Sequence, residues 1–214
     1  MSHYTVLVIG PTDEDELANA LAPFEEDIEV PPYISETKAD QIRKHRRLLD
    51  AAAAMREQYE QYRPPYTEGS HARANRQHVD WITKVAPVQA QLDDEALWRV
   101  ILSQDPGTDR DVDGHIWSTR NPLARWDWWA VGGRWNGIFT LSLDKDHGLV
   151  RDLAEATDVT FAVLHQGVWH ERGRMGWFGQ VSEEQDDVTW HARWRALLDK
   201  ADPDEHVWLV DIHI

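Results

Sequence analysis

His3-Tyr4-Thr5-Val6-Leu7-Val8-Ile9 opens the chain and is stopped by Gly10-Pro11; Val207-Trp208-Leu209-Val210-Asp211-Ile212-His213-Ile214 closes it. Both runs are rich in β-branched and aromatic residues, the composition of strands. Helical spacing fills much of the sequence between them. Strands at both ends with helices between predict an α+β fold: a mixed or antiparallel sheet with helices on one face. First and last strands often pair in such folds, which would set His3 near Asp211 and His213.

Working inward, Thr12 is a plausible N-cap for a helix whose first turn is acidic (Asp13 to Asp15), the charge that suits the positive end of the helix dipole. That helix should reach Leu21 or Ala22 and stop before Pro23. Residues 25–32 read as an acidic, Pro-ended loop. A long helix is expected over about 36–62, capped by Ser35 or Thr37, with Ile42, Leu48, Leu49, Ala52, Met55, Tyr59 and Tyr62 near a 3.6-residue period. Pro64-Pro65 should end it, and 67–70 reads as a turn. Shorter helices follow at about 76–85 and 93–103. The stretch of about 25–104 thus reads as a largely helical insertion within a single domain of residues 1–214.

After Gln104 the character changes: Trp becomes dense and Gly appears in pairs. Strands are expected at about 116–119, 126–131 and 138–143, and a short helix at about 149–156. A hairpin of 159–165 and 168–171 should turn at Gln166-Gly167. A helix over about 187–200 carries Trp190, Trp194 and Leu197 on one side.

The chain has 214 residues, no Cys, 12 Trp and a net charge of −16. Without Cys there is no disulfide, thiolate nucleophile or Cys-ligated zinc, and a reducing cytoplasm is the natural location. The start has no basic region and no apolar run of signal-peptide length, and no stretch of about 18 apolar residues suggests a membrane span. The negative charge argues against general nucleic-acid binding, which draws on positive surface to displace counterions. A solubilising surface is the simple account of that charge; a DNA mimic is disfavoured because basic residues are interleaved along the chain.

Two segments carry residue types that suit a ligand. The first is Asn121-Pro122-Leu123-Ala124-Arg125-Trp126-Asp127-Trp128-Trp129-Ala130-Val131-Gly132-Gly133-Arg134-Trp135. On a strand, Trp126 and Trp128 would face one way, and Asp127 and Trp129 the other. Gly132-Gly133 permits positive φ or close backbone approach, and Arg134 is a forked donor for phosphate or carboxylate. Such a set suits a small, planar, anionic ligand that stacks on Trp126, Trp128 and Trp135 and meets Arg134. Alternatively these Trp are core, Asp127 pairs with Arg134 or Arg125, and the glycines form a bulge. The second segment, Trp169-His170-Glu171-Arg172-Gly173-Arg174-Met175-Gly176-Trp177-Phe178-Gly179, repeats the recipe. Glu171 could serve as a base or pair with Arg172, and Trp177 would add a second aromatic wall to one cleft; a Gly-rich turn with core aromatics is the plainer reading. Rossmann and P-loop signatures are absent, and neither segment names a cofactor.

His3, Asp211 and His213 form a third set. If the terminal strands are neighbours, they converge for acid–base work, for metal binding, or for a structural His–Asp bond. Asp109-Arg110-Asp111-Val112-Asp113-Gly114 matches half of a calcium loop, but Arg120 stands where the twelfth-position Glu belongs, so an acidic turn is expected. The eleven His show no zinc-like spacing, and no catalytic Ser motif stands out.

Several motifs resemble a family of uncharacterised proteins from bacteriophages and actinobacterial genomes. They are the start Ser2 to Gly10, Ser118-Thr119-Arg120-Asn121-Pro122 running into Trp126-Asp127-Trp128 and Gly132-Gly133-Arg134-Trp135, then Glu171-Arg172-Gly173, Met175 to Ser182, and the ending Val210 to Ile214. The likeness covers about half the chain and omits the helical stretch. It implies a phage or prophage origin and an accessory role toward host defence or metabolism, with no reaction or catalytic residue attached. Three functions follow as expectations: binding of a nucleotide-like ligand, inhibition of a host protein through the acidic surface and helical stretch, or His/Asp-dependent hydrolysis of a nucleotide.

Overall fold

The computed structural model describes residues 2–62, 77–176 and 179–214. It divides into two units, one formed by Met1–Val30 with Arg120–Ile214 and the other by Pro31–Thr119.

The first unit is built on a mixed sheet. Strand β1 (His3–Ile9) lies between β10 (His206–His213), antiparallel to it, and β6 (Ala162–His165), parallel to it. Beyond β10 run β4 (Trp128–Val131) and β5 (His147–Leu149); beyond β6 runs β7 (Val168–Glu171), and the short strands β8 (Arg174–Met175) and β9 (Val181–Ser182) pair with each other. The terminal strands pair as expected, with His3 opposite His213 and Thr5 opposite Asp211. The β6–β7 hairpin turns at Gln166 and Gly167, both at positive φ (52° and 75°), the conformation a two-residue hairpin needs.

The α+β class and the mixed sheet are as the sequence predicts. The helices, expected on one face, divide between two. On one face Leu7, Ile9 and Leu209 pack with Trp190, Trp194 and Leu197 of the last helix, Asp187–Leu198. On the other, Val6, Val8 and Val210 pack with Leu17 and Leu21 of helix α1 (Glu14–Leu21). The reason is visible in β1, where every residue from Tyr4 to Ile9 is buried. A strand apolar at successive positions presents an apolar surface on both sides, and each side requires cover.

Several local expectations are corrected. Asp13, not Thr12, caps α1 by accepting from the Glu16 backbone N–H at 2.9 Å; Thr12 instead donates to the Glu16 carboxylate. Residues 138–143 form no strand, because β4 and β5 already divide the outer edge of β10 between them. The helix expected at 149–156 is a single tight turn, Val150–Leu153.

In the second unit β2 (Glu29–Glu36) pairs with β3 (Ile116–Arg120), so part of the expected acidic loop is a strand. Helix α2 (Lys38–Tyr62) begins at Thr37, whose hydroxyl accepts from the Asp40 N–H while the Asp40 carboxylate accepts from the Thr37 N–H. It packs Ile42, Leu49 and Ala52 against Ile82, Ala86, Leu97 and Trp98. These partners come from a π-helical turn (Trp81–Val85), a short helix α3 (Ala86–Gln89) and helix α4 (Asp94–Gln104); the helix Asp187–Leu198 is α5. Leu48 and Met55 of the expected stripe are exposed, the Tyr59 and Tyr62 side chains lie outside the described residues, and so do the expected stop at Pro64-Pro65 and the turn at 67–70. No helix among the described residues is long and apolar enough to cross a membrane.

Candidate functional site

The sheet register assembles a polar cluster at the end of β10. Because β1 and β10 are antiparallel neighbours, His3 stands directly opposite His213, and His213 directly opposite Trp128 of β4. Directly opposed residues share a face. The rings of His3 and His213 lie 4.9 Å apart at 61°, and Trp128 meets His3 edge-on at 6.3 Å.

Each imidazole is held through Nδ1 by a carboxylate. His3 Nδ1 lies 3.0 Å from Asp211 Oδ1, and His213 Nδ1 lies 2.5 Å from Asp127 Oδ1. Asp211 is 1% exposed, and its second oxygen accepts the Arg134 backbone N–H at 3.0 Å. That contact depends on Gly132 and Gly133, at φ +66° and +50°. A Cβ on Gly133 would come within 2.4 Å of Asp211, and one on Gly132 within 2.2 Å of the Asp146 carboxylate. Here the glycine pair serves close approach to two carboxylates rather than a bulge. His213 Nε2 is buried without a hydrogen-bond partner among the described residues.

The expected ligand residues separate into three groups. Asp127, Trp128, Gly132, Gly133 and Arg134 join His3, Asp211 and His213. Trp128 is half exposed and the Arg134 side chain is exposed. Asn121 and Trp126 are internal: the Asn121 amide donates to the carbonyls of Pro23 and Glu25, and the Trp126 indole donates to Leu21. Trp135 packs against the α5 side of the core. Glu171 and Arg172 are in ion pairs, Glu171 with Arg125 at 3.0 Å and Arg172 with Glu184 and Asp187 at 2.7 Å each. The Arg125–Glu171 pair does bring the two segments together, but it uses the charges that a ligand would need. Trp177 lies outside the described residues.

The expectation that Trp126 and Trp128 face one way is corrected. Trp126 and Trp129 both pack on the α1 side, while Trp128 stands on the face of His213. The backbone bends at Asp127, before β4 begins, so the strand alternation does not extend back to Trp126. That bend also aims Asp127 at His213, a pairing that sequence reasoning had assigned to an arginine. No local signal identifies it, since the partners are 86 residues apart.

Metal-ligand geometry selects a different place. Among the described residues only Asp111, Asp113 and His115 bring three ligand atoms within 4.8 Å of one another. The Asp111 carboxylate already accepts from the backbone N–H groups of Asp113 and His115 and from the Trp117 indole, which hold its pKa below the usual carboxylate range, the indole contact most strongly. This is the acidic turn the sequence suggested. The cluster of His3, Asp211, His213 and Asp127 does not gather ligand atoms in that way. No protein family, curated protein or solved structure matches the chain.

Proposed function

We propose that this protein binds a small, planar, anionic, nucleotide-like ligand beside Trp128 and Arg134. The observation that carries this reading is the juxtaposition of a half-exposed indole with two carboxylate-held imidazoles, next to a backbone turn that presents an exposed arginine. An aromatic face suits a base, and a forked cation suits its phosphate. The resemblance to phage and actinobacterial proteins supports an accessory role in the host cytoplasm, such as sequestering a nucleotide used in host defence signalling.

Titration with adenosine monophosphate, followed by tryptophan fluorescence, tests the reading. Saturable quenching is expected in the native protein and should be lost in Arg134→Ala and Trp128→Phe variants that keep the native circular dichroism spectrum. Unchanged quenching in both variants would sink it.

A second reading, contact with a host protein, draws on the helical unit. Leu48 and Met55 are exposed on α2, and Val85 and Val88 on the neighbouring helical segment. Single exposed apolar residues are ordinary; a contiguous patch is what marks an interface. Leu48→Glu with Met55→Glu should abolish capture of a specific host partner if that reading holds, and leave adenosine monophosphate quenching intact.

A further inference from the structure

We infer that the His3/His213 pair makes this ligand site catalytic: an acid–base centre that hydrolyses a phosphodiester in a small ligand without a metal ion. The inference rests on the ligand site proposed above and adds turnover to it. General acid–base catalysis needs two groups, one to remove a proton and one to supply it, both within hydrogen-bond reach of the reacting atoms. The His3 and His213 rings supply two such groups side by side on one sheet face, their centroids 4.9 Å apart. In both residues a carboxylate engages Nδ1. A hydrogen bond at one ring nitrogen sets the tautomer and leaves the other for chemistry. At His213 that other nitrogen is buried and unpartnered among the described residues, a state that calls for an explanation.

The surroundings define the step. Thr5, opposite Asp211, is buried with its Oγ1 accepting the Phe161 N–H, and the attacking group assigned here is water. Neutral His3 takes a proton from water as its oxygen bonds to phosphorus. The bond from phosphorus to the leaving oxygen breaks with its electron pair, and protonated His213 gives that oxygen its proton. One diester and one water become a monoester and an alcohol, and the two imidazoles return to their starting states by exchange with solvent. His213 is assigned the acid role and His3 the base, with Asp127 and Asp211 holding their Nδ1 atoms. Arg134 meets the phosphoryl charge. Asp127 and Asp211 are positioning residues. The net charge of −16 disfavours a long polyanion and favours a small diester.

Bis(p-nitrophenyl) phosphate tests this directly, since cleavage releases a coloured phenolate and the intact probe is an anionic diester with planar rings. With chelator present, the native protein should turn it over with a bell-shaped dependence on pH. His3→Gln and His213→Gln should each lose about 100-fold or more in kcat while still binding the probe, read by tryptophan quenching. Asp127→Asn should lose about 10-fold or more and shift one limb of the pH profile. Quenching without turnover overturns the catalytic inference and leaves the binding reading in place. Neither quenching nor turnover overturns both. Turnover that chelator abolishes, or that survives in both Gln variants, overturns the assignment of the two histidines.

Discussion

Strand β10 begins and ends with histidine, and its two ends treat the imidazole differently. At the start, His206 Nδ1 lies 2.9 Å from His147 Nε2, and His147 stacks on Trp208 at 3.7 Å and 11°. At the far end, His213 and His3 sit side by side but each is bonded to its own carboxylate. The first pair satisfies itself. Its shared hydrogen bond needs a neutral acceptor nitrogen, and burial, with the neighbouring His206 second, holds His147 below its usual pKa. The second pair is satisfied only at Nδ1. Two histidine pairs joined to one strand therefore differ in their partners: one is bonded ring to ring, the other has a carboxylate on each ring.

The largest expected effect falls on the carboxylate end. Gly133→Ala places a methyl group 2.4 Å from Asp211 at a positive φ, which should cost about 2–4 kcal/mol in urea-unfolding free energy and remove ligand quenching. Asp211→Asn should cost about 2 kcal/mol, the range for hydrogen bonds to a buried charged group. His206→Phe, which removes one bond between neutral rings, should cost about 1 kcal/mol or less in the same assay. If the two substitutions cost the same, the contrast between the ends is broken.

A pH titration sharpens it further. Because the folded-state pKa of His147 is depressed, its contribution is full above the ordinary value of 6.5 and is lost as pH falls from there toward the folded value. His170 acts in the same direction, through burial and then Arg193. Between pH 7 and pH 5 the native protein should lose stability, and His147→Phe, which keeps a ring against Trp208, should lose less. Acidic groups whose pKa is lowered, such as Asp186 with its Thr189 bond, titrate below that window. An equal loss in both proteins would remove His147 as the sensor. The smallest effect is expected for Arg134→Ala, an exposed residue, at under about 0.5 kcal/mol. A larger loss would make Arg134 a structural residue.

Much of the first unit was legible before any coordinates. Tyr4 to Ile9 and Val207 to Ile212 read as strands because their composition demands it, and the Gln166-Gly167 turn follows from backbone preference alone. The α5 stripe of Trp190, Trp194 and Leu197 was equally plain. Less legible was the density of Trp between 126 and 135. Residue type alone cannot separate Trp126, whose indole donates to Leu21 in the core, from Trp128, which is half exposed. The same holds for Glu171 and Arg125, which neutralise each other across 46 residues.

What the sequence determined by itself was local: strand and helix segments, an acidic and cysteine-free chain, and the presence of His3 near one end and Asp211 and His213 near the other. Period and dihedral preference act over a few residues, so a few residues suffice to read them. Only the tertiary structure decided that β1 lies against β10 with His3 opposite His213, and that the bend at Asp127 turns its carboxylate onto His213. Strand order and register arise from burying both faces of one sheet at once, and that is a property of the whole chain rather than of any segment in it.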